Sequence, residues 1–216
     1  MIDTSIRPGH SVHRIEALTD GIYAVVMTLL VIDLKVPDHS LIHTTGDLVR
    51  AVVQLSPRFL AWMISFLVLA FIWFAHHRTF SHVGQATGRL MALNFGQLAF
   101  ASLMPFSSAL IGEYGGSLFS QIAYSADMVV VAVFALLLSR YVYRHPQLAP
   151  APMPLGAYRA TQIRGVGLIA ISTLAVAISS VVPALGNIAF MLMAVIMPVS
   201  RRIEARINAR PRAPKT

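Results

Sequence analysis

Residues 14–34 decide the fold of this chain, and they read RIEALTDGIYAVVMTLLVIDL. A helix rises about 1.5 Å per residue, so about 20 residues cross the ~30 Å hydrocarbon core of a bilayer. The stretch from Ile15 to Leu34 has that length and is largely apolar. It therefore predicts a membrane-spanning helix, with Asp20 as a carboxylate inside it.

The rest of the chain repeats this pattern of apolar blocks. Further apolar blocks cover about Leu55–Ala75, Leu90–Ile111, Leu118–Ser139, Gly165–Val182 and Leu185–Val199. Hydrophobic residues make up 56% of the 216 and charged residues only 12%, too few to cover the surface of a soluble domain. We predict an all-α, polytopic membrane protein of six transmembrane helices. The last two blocks are short, and Pro183, Gly186 and Asn187 predict a tight hairpin turn between them.

Basic residues predict the orientation, because lysine and arginine flank the cytoplasmic ends of spans. Of the 17 lysines and arginines, three fall on one side, namely Lys35, Arg50 and Arg58. The other fourteen fall on the opposite side: Arg7, Arg14, Arg78, Arg89, Arg140, Arg144, Arg159, Arg164, Arg201, Arg202, Arg206, Arg210, Arg212 and Lys215. This predicts an even number of spans in the cell (plasma) membrane, with both termini cytoplasmic.

Three parts follow from these patterns. We expect a cytoplasmic N-terminus at residues 1–13, a six-helix transmembrane domain at residues 14–200 and a basic cytoplasmic tail at residues 201–216. Residues 1–13 contain no apolar signal-peptide core, so the first span should serve as its own insertion signal. The formal net charge is +8. Anionic lipid is the expected partner of the basic tail, and nucleic acid is not expected.

Two connections between spans carry patterns of their own. In the segment Asp38–Gln54, Asp47 could cap a short helix lying at the outer interface. Four prolines in the fourth-to-fifth connection exclude regular structure there: Pro146, Pro150, Pro152 and Pro154.

Motifs of enzyme chemistry are missing from the sequence. It has no glycine-rich phosphate loop, no H-E-x-x-H and no nucleophile elbow. The chain has no cysteine, which excludes disulfides and thiolate metal sites. Only His76 and His77 among the histidines are adjacent, and neighbours on a helix point about 100° apart. We expect no enzyme activity, no resident metal and no cofactor.

Asp20 lies about 9 Å along the first helix from Arg14. A carboxylate at that depth is costly unless it faces protein or water. It could form an ion or proton site, or it could clamp two helices together by hydrogen bonds. Helix geometry favours the clamp: if the stripe of Val25, Thr28 and Ile32 lines a pore, Asp20 lies about 140° from Val25 and faces the protein body.

Depth identifies the possible partners of Asp20. Asn94 lies one turn into the third span, and His77 ends the second span, with Trp73 one turn away on the same face. Trp73 could instead be an interfacial belt residue, and His77 could simply lie at the headgroups. Thr28 also has an alternative role, a hydrogen bond to the carbonyl four residues earlier.

These motifs resemble the transmembrane protein 175 family, the lysosomal-type potassium channels and their bacterial relatives. The family opens its first helix with Arg-x-x-x-Phe-Ser-Asp, and the sequence here has Arg14, Leu18, Thr19 and Asp20 in that spacing. A Thr-Leu-Leu stretch follows from Thr28. The bacterial Trp-x-x-His-His-Arg pattern, Asn94 and a Leu-Met-Pro-Phe-Ser run are also similar: residues 73–78, 94 and 103–107. The resemblance covers the first three spans.

The resemblance implies a homotetrameric, potassium-selective leak channel whose first helices line a central pore. It places the hydrophobic constriction at Val25, with Ile32 further along the pore and potassium passing transiently near Thr28. It also implies an interhelical network of Arg14, Leu18, Thr19, Asp20, Trp73, His77 and Asn94. Leu18 and Val25 are smaller than the usual family residues. Competing interpretations are a proton-permeable channel or proton-coupled carrier using Asp20 and His77, and a membrane scaffold without transport.

Overall fold

The computed structural model of the protein describes residues 8–149 and 151–209, and every regular element within those ranges is helical. Its α-helices are α1 (Pro8–Leu29), α2 (Thr45–Gln54), α3 (Ser56–Phe80), α4 (Gly88–Ala101), α5 (Met104–Glu113), α6 (Leu118–Arg144), α7 (Leu155–Val181) and α8 (Met193–Asn208). Short 3-10 helices occupy Leu30–Asp33, His39–Leu41 and Pro146–Leu148, and a longer one occupies Pro183–Leu192. The all-α prediction is confirmed.

Five helical segments are long and apolar enough to cross a membrane: Val12–Asp33, Ser56–Phe80, Gly88–Glu113, Leu118–Arg144 and Leu155–Val181. They coincide with the first five apolar blocks of the sequence. The fifth block was predicted too short, because α7 begins directly after Pro154 and spans 27 residues. Arg159 and Arg164 therefore belong to this helix and not to the preceding connection.

The sixth apolar block lies in a composite helix, the 3-10 helix Pro183–Leu192 followed by α8, that runs antiparallel to the whole of α7. Near one end a Cβ added to Gly186 would lie 2.5 Å from the Ala175 carbonyl oxygen, so only glycine permits this close approach. Near the other end Arg164 Nε donates to Ser200 Oγ over 2.8 Å. The chain reverses at Val182, and the residues predicted to form the turn lie in the 3-10 helix instead.

This sixth block was predicted too short mainly because its helix begins at Pro183 and continues to Asn208, and to a smaller extent because its first part is a 3-10 helix. A 3-10 helix rises about 2.0 Å per residue against about 1.5 Å for an α-helix. The 3-10 segment has 10 residues and α8 has 16. Together they reach about 44 Å by these rises, enough to accompany α7, whose 27 residues extend about 40 Å.

The third crossing is broken, although its sequence block predicted one helix. α4 ends at Ala101, and α5 begins at Met104 with Pro105 in its first turn. Proline has no N–H to donate to the preceding turn, and its ring clashes there, so a continuous α-helix is disfavoured. The break leaves α4 packed against α1 and α6, while α5 packs mainly against α3 and α6.

The connections differ from the predictions in detail. Thr44, and not Asp47, caps α2. The Thr44 hydroxyl oxygen accepts a hydrogen bond from the Asp47 N–H, and the Asp47 carboxylate accepts one from the Thr44 N–H, which completes a capping box. The fourth-to-fifth connection contains one 3-10 turn, and Pro150 lies outside the described residues. α8 continues through the predicted boundary at residue 200 to Asn208. Residues 210–216 of the basic tail, and residues 1–7, lie outside the described ranges.

Candidate functional site

One face of α1, continued by the 3-10 helix Leu30–Asp33 that follows it, is buried against the rest of the chain. Thr19, Tyr23, Val26 and Leu30 expose 0%, 0%, 3% and 1% of their surfaces. Their spacing of four, three and four residues keeps them on a single helix face. This face positions the polar side chains through which α1 meets α3 and α4.

Asp20 is tied to α3 at the edge of that face. The Trp73 indole Nε1–H donates to the Asp20 Oδ1 atom over 2.8 Å, and both side chains are half-buried. The Trp73 ring also stacks on His77, with centroids 5.7 Å apart. The indole gives the carboxylate a donor at a depth where water is scarce, which is what a helix clamp requires.

A second, fully buried chain of hydrogen bonds joins α1, α4 and α3. The Asn94 amide nitrogen donates to Thr19 Oγ1 over 2.9 Å, and its oxygen lies 2.7 Å from His76 Nε2. Because that amide oxygen only accepts, His76 donates from a protonated Nε2. One turn further on, the Gln97 amide donates to the Tyr23 hydroxyl over 3.0 Å. Together with the Asp20–Trp73 bond, these contacts are called the anchor network below.

The structure brings some of the residues predicted for this network together and leaves others apart. Thr19, Asp20, Trp73 and Asn94 make the bonds just described. Leu18 is 48% exposed, on the opposite face of α1. Arg14 is also exposed and bonds to none of the other predicted members within the described residues.

His77 occupies the rim of the network and not its interior. Its side chain is 48% exposed, and its Nδ1 atom lies 3.6 Å from a Glu16 carboxylate oxygen. The interior position belongs to His76, which the sequence prediction passed over. The two histidines are adjacent in sequence, so spacing alone could not decide which of them points inward.

The opposite face of α1 is uncovered in the single chain. Val25 and Ile32 expose 56% and 63% of their surfaces, and Thr28 is exposed between them. The Thr28 hydroxyl donates to the Val25 carbonyl over 2.8 Å, three residues back, whereas the sequence analysis expected the carbonyl four residues back. A Cβ added to Gly21 would meet nothing within 4 Å. We call Leu18, Gly21, Val25, Thr28 and Ile32 the open face.

A second carboxylate, Asp127, lies within a membrane-spanning helix and was not predicted from the sequence. Asp127 lies nine residues into α6 and is 8% exposed. The Ser107 hydroxyl donates to its Oδ2 atom over 2.7 Å, and its Oδ1 atom has no hydrogen-bond partner among the described residues. An acid in the middle of an apolar block was the available signal.

Among the described residues, no group of three histidine, aspartate or glutamate side chains could hold a metal ion. The anchor network is hydrogen-bonded across α1, α3 and α4, with only the Gln97 Oε1 atom buried without a partner among the described residues, and the open face is apolar except for one hydroxyl. The fold and site define a multi-pass helical membrane protein whose first helix is bonded on one face and open on the other.

Comparison with known proteins identifies the family to which the chain belongs. The family model described as endosomal/lysosomal potassium channel TMEM175 matches residues 14–105. A potassium channel of Streptomyces collinus is 34% identical over 70% of this chain and 74% of its own length. A potassium channel of Chamaesiphon minutus is 34% identical over 63% of this chain and 66% of its own. The chain belongs to the TMEM175 family, a family of channels and not of enzymes.

Further comparisons extend the likeness in sequence and in structure. The endosomal/lysosomal proton channel TMEM175 of Homo sapiens is 42% identical over 45% of this chain, which is 20% of the human protein. The crystal structure of a lysosomal potassium-selective channel TMEM175 homolog from Chamaesiphon minutus matches with a TM-score of 0.70 and 25% identity. That match covers 93% of this chain and all of the other. The fold is therefore shared beyond the first three crossings.

Proposed function

We propose that this protein is a potassium-selective, leak-type cation channel. The observation that carries the proposal is the open face of α1. Its apolar residues and one hydroxyl lie at bilayer depth, while the opposite face of the same helix is hydrogen-bonded to α3 and α4. The two bacterial relatives named as potassium channels support the same function.

A pore of this kind requires several copies of the chain. One α1 cannot enclose a path for an ion, so the open faces of several copies must meet around an axis, and four copies form the proposed homotetramer. Val25 then provides an apolar ring that resists water entry, the hydrophobic constriction of the pore. Ile32, in the 3-10 helix that follows α1, continues the lining.

Thr28 supplies the polar atoms of the proposed selectivity. Its proton is donated to the Val25 carbonyl, so the hydroxyl oxygen keeps a lone pair that can face an ion. Four such oxygens replace part of the hydration shell of a passing potassium ion, directly or through a retained water. Potassium surrenders its water more readily than sodium, which favours potassium at a ring of weak acceptors.

The orientation follows from the basic residues. We place the end that carries Arg14, Arg78 and Arg144, called the arginine-rich end, in the cytoplasm of a cell whose plasma membrane holds the protein. The even number of crossings puts both termini on that side. The basic residues at the end of α8 then lie against anionic lipid.

The proton-coupled alternative has less support from the geometry. Asp20 is bonded to the Trp73 indole, which has no titratable proton to pass on near neutral pH. His77 faces Glu16 at the rim, so Asp20 and His77 form no continuous relay within the described residues.

Ion flux through the purified protein tests the proposal. Protein reconstituted into planar bilayers is measured under opposed potassium and sodium gradients, with a proton gradient as a third condition. The proposal expects discrete single-channel currents that reverse near the potassium equilibrium potential. Slow flux coupled to protons would favour a carrier, and the absence of current from correctly assembled protein would favour a scaffold.

A further inference from the structure

A groove lies between the start of α4 and the end of α6, at the arginine-rich end of the bundle. Three arginines surround it: Arg89 from α4, and Arg140 and Arg144 from α6. The cavity between the two helices has a volume of about 340 Å³. We call this cavity and its lining the basic groove.

The charges of the basic groove are uncompensated. No carboxylate among the described residues lies within 4 Å of these three guanidinium groups, whereas Arg78 at the same end is paired with Glu204. At the opposite end Arg50 is paired with Asp47, and Arg58 with Glu113. Three unpaired arginines around one cavity create a local positive potential that attracts a multivalent or phosphate-bearing anion.

The wall of the groove is held in place by side-chain contacts. The Arg89 guanidinium lies over the Tyr141 ring, 5.6 Å from its centroid. The Tyr141 hydroxyl is 3.0 Å from Thr87 Oγ1, and its ring lies 4.2 Å from the His145 ring. Restricting these rings and Arg89 before a ligand arrives reduces the entropy lost on binding.

Below the arginines the lining is apolar. Leu93 lies one turn beyond Arg89 in α4, and Leu137 lies one turn before Tyr141 in α6. Leu137 is 45% exposed, so this part of the groove opens sideways toward the hydrocarbon of the bilayer. A soluble anion would leave this apolar surface exposed, whereas the acyl chain of a lipid would cover it.

We propose that the basic groove binds the headgroup of an anionic phospholipid, with one of its acyl chains against Leu93 and Leu137. The lipid phosphate is held by Arg89, Arg140 and Arg144 at the depth where headgroups lie. This site is separate from the basic tail, and the proposal does not depend on the proposed ion conduction. It places one bound lipid per chain beside α4, the helix that carries Asn94 of the anchor network.

Lipid binding to the purified full-length protein tests the proposal. The probes are dioleoylphosphatidylglycerol and dioleoylphosphatidylcholine, added to delipidated protein in a neutral detergent and counted by native mass spectrometry. We expect one tightly bound phosphatidylglycerol per chain and much weaker phosphatidylcholine binding. In the Arg140→Gln/Arg144→Gln variant the affinity for phosphatidylglycerol should fall about thirtyfold, at about 1 kcal/mol per arginine.

A matched variant separates a specific site from general charge. Arg202→Gln/Arg206→Gln removes the same charge from exposed positions of α8, and it should retain the tight phosphatidylglycerol. An equal loss in both variants would show diffuse attraction and would overturn the proposal. Displacement of the lipid by millimolar inorganic phosphate would overturn it as well, because the site would then recognise phosphate alone. Circular dichroism melts check that both variants are folded.

Discussion

The two faces of α1 differ in burial and in the chemistry of their side chains. The anchor network lies on one face, where Thr19 and Tyr23 are completely buried and hydrogen-bonded to α4. The open face lies on the other, where Val25 and Ile32 are more than half exposed and contribute no polar atom. The helix thus meets its own chain through hydrogen bonds as well as buried apolar residues, and its uncovered face is almost purely apolar.

This difference teaches what each kind of contact can do inside a bilayer. Apolar packing between helices gains little there, because lipid tails are as apolar as leucine, so hydrogen bonds fix α1 to its own subunit. An apolar, smooth surface, in contrast, can face either lipid or a narrow aqueous path without a fixed partner. The anchor network should therefore govern folding, and the open face should govern assembly and conduction.

Loss of Asn94 should have the largest effect on folding. Asn94→Leu removes both bonds of the buried amide and leaves Thr19 and His76 without their partners. We expect a loss of about 2 kcal/mol of stability. Unfolding of the purified protein in mixed micelles measures it.

Asn187→Leu is the matched control for that variant. The Asn187 Oδ1 atom is buried and has no hydrogen-bond partner among the described residues, so its removal should cost far less. Equal losses in the two variants would mean that the anchor network contributes nothing particular to stability.

A bulky side chain on the open face should separate assembly from folding. A Cβ at position 21 has no neighbour within 4 Å among the described residues, so the Gly21→Leu subunit should fold, but the added volume should keep neighbouring α1 helices apart. We expect monomers in place of tetramers by size-exclusion chromatography with light scattering. Gly116→Leu, at another site with open space around the Cβ, should assemble normally. If Gly21→Leu also forms tetramers, the open face does not line the subunit contact.

Asp20 should show a moderate and graded effect. Asp20→Ala removes the acceptor of the Trp73 indole, at a cost of about 1 kcal/mol, and should reduce the tetramer yield. Asp20→Asn keeps an acceptor oxygen and should retain some tetramer and some current. Normal assembly of Asp20→Ala together with a changed ion preference would instead identify Asp20 as a pore ligand.

Changes at the proposed constriction should leave folding intact and alter the current. Val25→Ser makes the apolar ring smaller and polar, so water and ions should enter more easily. We expect a higher single-channel conductance or weaker selectivity, with an unchanged unfolding curve. Val25→Ala should act in the same direction. A conductance equal to that of the unmodified channel in both variants would exclude Val25 as the narrowest point.

The smallest change should come from a single hydroxyl. Thr28→Val keeps the shape of the side chain and removes the proposed potassium ligand together with the bond to the Val25 carbonyl. Under opposed potassium and sodium gradients the reversal potential should move toward zero while the tetramer remains intact. Full retention of the potassium preference would leave selectivity to the apolar ring alone.

The lengths of the apolar blocks and the depths of the polar residues in the bilayer can be read from the order of residues alone, and they predicted part of this fold. The first five crossings lie where the apolar blocks are, and Asp20 and Trp73 meet because both lie at a similar depth in the bilayer. Rules of this kind need no knowledge of how helices rotate or pack. The same rules made the sixth block too short, because the polar and charged residues that end its apolar run continue the helix from Ser200 to Asn208.

Details that depend on rotation or on local backbone chemistry were not predictable in the same way. His76 and His77 are the same type of residue at nearly the same depth in the bilayer. Only the packing of α3 turns the His76 side chain toward Asn94. The break before α5 could have been inferred from Pro105, and the buried Asp127 from its apolar surroundings. The choice of the Val25 carbonyl by Thr28 depends on a side-chain rotamer that spacing does not determine.

The contact between Trp73 and Asp20 also gives the molecule an optical reporter of its own. The chain has two tryptophans, and the other, Trp62, has a buried indole nitrogen without a hydrogen-bond partner among the described residues. Substituting Trp62 by phenylalanine leaves a single fluorophore whose N–H contacts the carboxylate of α1. The emission wavelength and quenching of Trp73 then report whether α1 is in contact with α3, in an unlabelled protein in detergent or in lipid.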